Sequence, residues 1–257
     1  MSQAVRFQFG ENWSSYSKLI DDDAVAQAVS GLSRLLPQGL DPAGRSFLDI
    51  GSGSGIHAVA ASRLGFFPIL AVDYDPNSVV TTKKTAADSG ASVEAYRDDI
   101  LNSTITEQFD VVYSWGVLHH TGDMQSAIAK AKSLVKPGGT LIIAIYTKTK
   151  FCGMWKGIKR LYCVSPPPVQ KAMALGFYGT LSTGQLIRGR KALTRGMDRW
   201  HDSVDWLGGY PYESASADEV KSMVGQGFDL VQSFNTTPGL GLFGTGCGEY
   251  VFTQRSE

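Results

Sequence analysis

The stretch Ser46–Gly55, S-F-L-D-I-G-S-G-S-G, constrains this chain more than any other. Phe47, Leu48 and Ile50 make a short apolar run around one acid, Asp49, and glycines follow at positions 51, 53 and 55. A small-residue helical pattern then begins, His57-Ala58-Val59-Ala60-Ala61. This is a strand, a tight glycine turn and a helix start. Bare backbone and the first N–H groups of the helix therefore face whatever binds there. A nicotinamide or flavin site would prefer G-x-G-x-x-G with an acid about 20 residues further on. Here the spacing is G-x-G-x-G, with the acid ahead of the first glycine.

The residues after this turn alternate between two periods. Ile69–Asp73, Ser92–Tyr96, Phe109–Ser114 and Thr140–Tyr146 read as strands. His57–Leu64, Asn77–Asp88 and Met124–Leu134 read as helices between them. Thr140–Tyr146 is apolar throughout, as a strand covered on both faces should be. Asp21–Leu36 has helical spacing (Val25, Ala28, Val29, Leu32, Leu36) with acids at its start and Pro37 after it. Regular βα alternation predicts an α/β, Rossmann-like, doubly wound parallel sheet. A helix over Ser216–Gln226 and strands at Phe228–Phe234 and Glu249–Gln254 close the chain.

Such a sheet brings its strand ends to one crevice, where open α/β sheets bind ligands. Asp73 ends the second strand and can accept both hydroxyls of a ribose. Asp99 follows the third and can accept from an adenine amine, with Ile100 flanking the ring. Ser114 and Trp115 end the fourth and lead into G-V-L-H-H.

With these pieces in order, L-D-I-G-S-G-S-G (48–55), A-V-D-Y-D (71–75), D-D-I (98–100), F-D-V-V-Y-S-W-G-V-L-H-H (109–120) and L-V-K-P-G-G-T-L-I-I (134–143), the chain resembles the class I S-adenosylmethionine-dependent methyltransferases. The resemblance implies a seven-stranded sheet with an antiparallel last strand, and S-adenosyl-L-methionine as cofactor. It implies that Asp49 and Gly51–Gly55, with Ser52 and Gly53 between, hold the amino-acid end of the cofactor. Asp73 would bind the ribose, Tyr74 would flank the adenine, and Asp99 with Ile100 would hold its edge. On this reading residues 1–40 form a helical cap, 41–147 the cofactor-binding core, 148–213 a helical insertion after strand five, and 214–257 the closing helix and hairpin. Segments outside the core (F-G-E-N-W, H-D-x-x-D-W-L-G-G-Y-P-Y-E, G-C-G-E-Y-V-F) look like a bacterial subgroup acting on small molecules.

The acceptor pocket must come from outside the sheet. The formal charge is zero overall, which gives no global nucleic-acid footprint. Yet 148–200 is rich in Lys and Arg, from Lys148, Lys150, Lys156, Lys159 and Arg160 to Arg199, against the single acid Asp198. A basic lid over the crevice suggests a small anionic acceptor; a solvated helix face is the plainer reading. His201, beside Asp202 and Asp205, is the leading candidate general base, with His119 and His120 after strand four as further catalytic candidates. Each is weighed against a packing role. Trp13, Tyr16, Asp205, Tyr210, Tyr212 and Glu249 are the candidate substrate-binding residues. No metal site is expected, because the three cysteines are scattered without ligand spacing. No signal core and no apolar run of the ~20 residues that a spanning helix needs is seen, so the expectation is a soluble cytoplasmic enzyme. The expected reaction is methyl transfer to a small anionic metabolite or natural-product intermediate, O-methylation ahead of N-methylation. A membrane-associated lipid or quinone acceptor is the alternative, since Phe151–Leu161 mixes apolar and basic residues as an interfacial helix would and so allows peripheral membrane contact. RNA, and a non-catalytic binder, stand further back.

Overall fold

A computed structural model describes residues 7, 9–188, 199–242 and 244–256. Seven strands form one sheet in the order β3-β2-β1-β4-β5-β7-β6. They are β1 (Phe47–Ile50), β2 (Ile69–Asp73), β3 (Glu94–Arg97), β4 (Phe109–Trp115), β5 (Val135–Tyr146), β6 (Phe228–Phe234) and β7 (Cys247–Gln254). β1 to β5 run parallel, and β7 lies antiparallel between β5 and β6. The order reverses at β1 and β4, so the ligand crevice falls outside their carboxyl ends.

Side-chain alternation sorts the sheet's residues into two cores. Leu48 and Ile50 of β1 pack on one face with α5 (Met124–Ser133) and α9 (Ala217–Val224). Phe47 packs on the other, with α2 (Asp22–Leu35) and α3 (Ile56–Leu64). α4 (Pro76–Asp88) joins this second layer, and Asp75 caps it by accepting from Asn77 N–H at 2.9 Å. Burial of this kind stabilises each apolar side chain by about 1.5–3 kcal/mol and fixes the strand register, because a one-residue slip would turn both sets outward.

Two elements differ from the sequence expectation. β5 starts at Val135 rather than Thr140, because K-P-G-G bulges out of the strand opposite Asp110, and Lys136 Nζ reaches that carboxylate at 2.7 Å. The aromatic N-terminal stretch, irregular as a pattern, forms α1 (Phe9–Ser17), which packs on α4. The insertion after β5 is helical, as expected: α6 (Cys152–Val164), α7 (Pro167–Arg188) and α8 (Arg199–Gly208), with the Pro166–Pro168 break between the first two. Tyr146, Trp155, Tyr162, Trp206 and Tyr212 form a third, largely aromatic core there. Arg190, Lys191, Arg195 and Asp198 lie outside the described residues.

Candidate active site

One cavity of about 1880 Å³ runs from the glycine turn to the helices of the insertion. Its sheet side is built by the loops after β1, β2, β3 and β4. Gly53 lies at φ +54°, and a Cβ there would stand 3.0 Å from the Trp13 ring, so only glycine lets α1 close onto the turn. Gly10 N–H donates to Asp75 Oδ2 at 2.8 Å and ties the same helix to α4.

The carboxylates of this half differ in how they are engaged. Asp73 accepts one backbone N–H on each oxygen, from Gly53 and from Asp75, both at 2.9 Å. Each oxygen keeps a further lone pair, which suits a vicinal diol. Burial pushes its pKa up to about 6. Asp49 is buried, its Oδ2 has no hydrogen-bond partner among the described residues, and burial followed by the Asp73 charge pushes its pKa up to about 8. A carboxyl in that state is satisfied by a cationic ammonium. Tyr74 is exposed, with the Arg97 guanidinium 5.4 Å from its ring centre. Asp99 lines the cavity and accepts from Leu101 N–H and Asn102 Nδ2. Its neighbour Asp98 also lines the cavity and holds a buried Oδ2 with no partner among the described residues. Sequence reasoning passed over Asp98: in D-D-I the two acids are alike, and only the turn after β3 separates them. Ile100 is on the wall. Ser114 is fully buried and donates to Ile50 O at 3.0 Å, stapling β4 to β1 behind the cavity.

The other half is aromatic. Phe9, Trp13, Tyr16, Tyr146, Phe177 and Trp206 line it together with Asp202, Asp205 and His120. None of Lys148, Lys156, Arg160 or Lys171 is on the wall: Lys148 pairs with Glu219 at 2.5 Å, and the others are exposed on the outer faces of α6 and α7. Lys159 alone points inward. It is fully buried, donates to the Trp206 carbonyl, and its Nζ lies 3.8 Å from the Trp206 ring centre. Together with Cys163 Sγ, which donates to Gly208 O at 3.3 Å, it satisfies carbonyls at the end of α8 that have no intrahelical partner. Gly209 lets this happen: a Cβ there would stand 2.6 Å from His120 Cε1 and 3.2 Å from Lys159 Nζ. Nothing in the sequence distinguishes Lys159 from its exposed neighbours except its place on the apolar face of α6.

The three candidate histidines separate. His120 is on the cavity wall, and its Nδ1 lies 2.8 Å from Pro211 O. A carbonyl can only accept, so the ring proton sits on Nδ1 and Nε2 carries the lone pair. Burial, then the Lys159 charge, lowers its pKa to about 3. His119 is fully buried behind Tyr146, with ring centres 3.9 Å apart, and does not reach the wall. His201 is buried between α8 and α1, where its carbonyl accepts from Asn12 Nδ2 at 3.2 Å and its ring meets Tyr16 edge-on. It is not on the wall, whereas Asp202 and Asp205 are.

Of the remaining candidates, Tyr212 is buried and donates to Cys152 Sγ at 3.3 Å, away from the cavity. Tyr210 is half-buried, and its carbonyl accepts from Phe7 N–H. Glu249 lines the cavity, but its oxygens accept from Arg34 Nη2, Trp115 Nε1 and Asn235 Nδ2, so it joins α2, β4 and β7. Trp115 is thereby fixed on the wall. Among the described residues no group of three metal-ligating side chains comes together.

A doubly wound sheet with acids at successive strand ends and a glycine turn defines an adenosine-type cofactor site. Residues 21–207 match the family model described as "Methyltransferase domain", and the chain belongs to that family, as a class I S-adenosylmethionine-dependent methyltransferase. A ubiquinone biosynthesis O-methyltransferase of Xanthomonas axonopodis pv. citri (strain 306) is 34% identical over 113 residues, 43% of this chain and 46% of that protein. A ribosomal protein L11 methyltransferase of Photobacterium profundum is 34% identical over 106 residues, 41% of this chain and 35% of that protein. The chain thus spans less than half the length of these relatives. Among solved structures, the N-methyltransferase NodS of Bradyrhizobium japonicum WM9 in complex with S-adenosyl-L-homocysteine superposes with a TM-score of 0.56 at 12% identity, over 96% of this chain and 98% of that one. Magnesium protoporphyrin IX methyltransferase of Synechocystis PCC 6803 gives 0.54 at 16% identity, over 90% and 82%. These two share the fold. The cofactor is S-adenosylmethionine; the two-donor Asp73 carboxylate on the wall fits its ribose, and Asp49, buried one residue behind the wall residue Ile50, offers the negative charge that fits its ammonium.

Proposed function

We propose that this enzyme methylates a hydroxyl on a small, ring-bearing, largely uncharged acceptor. The single observation that carries this is the continuity of one cavity from the glycine turn to an aromatic wall. S-adenosylmethionine, when bound, supplies an electrophilic methyl group on a sulfonium. The chain's own part is to hold and orient. Asp49 takes the ammonium, Asp73 the ribose diol, Asp98 and Asp99 the adenine edge, and Tyr74 its face. Trp13 and Tyr16 on α1 roof the junction of the two halves and exclude water. Tyr146, Phe177 and Trp206 offer faces and edges on which a planar ring stacks. Among the described residues an anionic acceptor finds none of Lys148, Lys156, Arg160 or Lys171 on the wall, and the two arginines there, Arg34 and Arg97, are engaged by Glu249 and by the Tyr74 carbonyl, so the aromatic surface sets the preference. The likeness to O-methyltransferases of ubiquinone biosynthesis supports the same class of acceptor. Incubation with labelled cofactor and a panel of phenols, catechols, aliphatic acids and amines, followed by mass identification, tests this. Label in phenols or catechols is the expected result; label confined to amines or aliphatic acids overturns it.

A membrane-associated acceptor is a second reading, favoured by one observation. The exposed faces of α6 and α7 carry Met154, Leu161, Val164, Val169 and Leu175 beside Lys156, Arg160 and Lys171, the composition of an interfacial surface. Co-sedimentation with anionic vesicles that weakens with salt supports it; no sedimentation removes it.

A further inference from the structure

We propose that Asp205, on α8, is the group that takes the acceptor's proton, and that Lys159, on α6, is the positioning residue that keeps that carboxylate ionised beside the aromatic wall. Asp205 lines the acceptor half, and its Oδ1 is buried with no hydrogen-bond partner among the described residues. The residue stands on the wall beside Trp206 and Tyr146, so a hydroxyl lying on those faces meets its carboxylate, and no donor from the described residues competes at the buried Oδ1. Asp202 lies one helical turn earlier and lines the same wall. The positive charge beside this carboxylate is that of Lys159 on α6, whose Nζ donates to the carbonyl of Trp206, the residue that follows Asp205. Lys159 Nζ sits among the rings of Trp206, Tyr212 and Tyr146, at 3.8, 5.2 and 5.3 Å from their centres. The aromatic cage is thus filled by the protein's own cation, which leaves the cavity side of Trp206 and Tyr146 for a neutral ring.

The chemistry of the neighbours agrees. Burial and then Asp202 push the Asp205 pKa up, Lys159 opposes them, and it settles at about 7. Burial lowers Lys159 to about 7 against the pull of Asp205, Cys163 and Cys247. The other titratable groups facing this pair are Tyr146 and Tyr212, both raised by burial, and His119 and His120, both lowered by burial, His120 too far to keep a proton near neutrality. A base whose pKa lies near the working pH is the effective one. In the step, the acceptor's oxygen–carbon bond forms as the carbon–sulfur bond breaks with its electron pair left on sulfur. The acceptor's O–H proton ends on the Asp205 carboxylate, from where it passes to solvent after product leaves.

The proposal rests on the acceptor reading above only for turnover, so the test has two arms. In the first, no acceptor is present. Carboxyl carbons of the ¹³C-aspartate-labelled full chain are titrated by NMR, with Asp205→Asn identifying the resonance. The expected midpoint is near 7, moving up by a unit or more in Lys159→Met and staying in place in Lys159→Arg. A midpoint in the ordinary carboxylate range, or one that ignores Lys159→Met while circular dichroism reports a native fold, overturns the proposal. In the second arm, catechol is the acceptor. Asp205→Asn is expected to lower turnover about 100-fold or more with cofactor affinity, read by calorimetry, within about threefold of wild type. Lys159→Met shifts the rising limb of the pH–rate profile to higher pH. Turnover within tenfold of wild type in Asp205→Asn overturns the proposal. A wrong acceptor class, by contrast, silences the wild type too and leaves the titration unchanged.

Discussion

The two halves of the cavity are built by opposite strategies. In the cofactor half every polar group stands within a residue or two of a strand end, and the backbone supplies most of the positioning. Gly53 and Asp75 N–H groups hold Asp73, and glycine torsions shape the turn. In the acceptor half each group is placed through a side-chain contact with a segment distant in sequence: His120 on the Pro211 carbonyl, Trp115 on Glu249, the end of α8 on Lys159. The first arrangement is local and survives changes outside the core. The second is a set of mutual side-chain supports, so a single change propagates.

The difference can be broken deliberately. Under the proposed ribose contact, Asp73→Ala removes two ligand hydrogen bonds to a charged group, each worth about 1.5–3 kcal/mol. Cofactor affinity measured by calorimetry is expected to fall by about 100-fold or more, with the circular dichroism spectrum unchanged; undiminished affinity would remove Asp73 from the ribose. Gly209→Ala forces a methyl group to 2.6 Å from His120 Cε1 and is expected to cost about 1–3 kcal/mol in denaturant melts. It should lower turnover more than cofactor affinity, and equal losses in both would show that the halves are not separable.

The pH dependence sharpens the cofactor side. Asp49 must be ionised to pair with an ammonium, and its free-state pKa is about 8. Cofactor affinity is therefore expected to rise with pH from 6 towards 8, by at most about tenfold per unit, and a flat profile would separate Asp49 from the ammonium. The sign for folding is the reverse. A carboxyl whose folded pKa is raised binds its proton more tightly in the native state, so these two acids favour folding less as pH climbs from the unfolded value of about 3.9 through about 6 for Asp73 and about 8 for Asp49. The smallest expected effect is Gly10→Ala, whose Cβ would meet the Asp75 carboxyl at 2.6 Å. Disturbing this cap should cost about 1 kcal/mol of stability and speed cofactor dissociation in stopped flow, because Trp13 loses its seat on Gly53.

The same contrast decides what was legible in the sequence. The strands β1, β2, β4 and β6, the glycine turn and Asp73 are local patterns, readable from period and turn chemistry alone. α1 was not legible, because Phe9, Trp13 and Tyr16 owe their burial to α4, α8 and the cavity rather than to helical spacing of their own. Lys159 reads as one more solvated cation until α8 is packed against it. His201 drew attention for its proximity to Asp202 and Asp205 in sequence, yet on α8 those acids face the cavity while the histidine faces α1. The sequence assigns Asp99 alone, and Asp98 joins it on the wall only once the turn after β3 is built, since a strand-end pattern does not say which of two adjacent acids faces inward.

Thr147 bridges Ala215, and Ala215 N–H donates to Tyr146 O at 3.0 Å, so the whole insertion is a closed loop whose two ends meet at the end of β5. The entropy of closing a loop grows only with the logarithm of its length, so doubling the insertion would cost about 0.6 kcal/mol. The sheet therefore keeps nearly constant stability whatever hangs between Thr147 and Ala215. In evolutionary terms the acceptor wall is the easiest part of this protein to lengthen, shorten or replace, and a new substrate can be sought there without reopening the question of how the methyl donor is held.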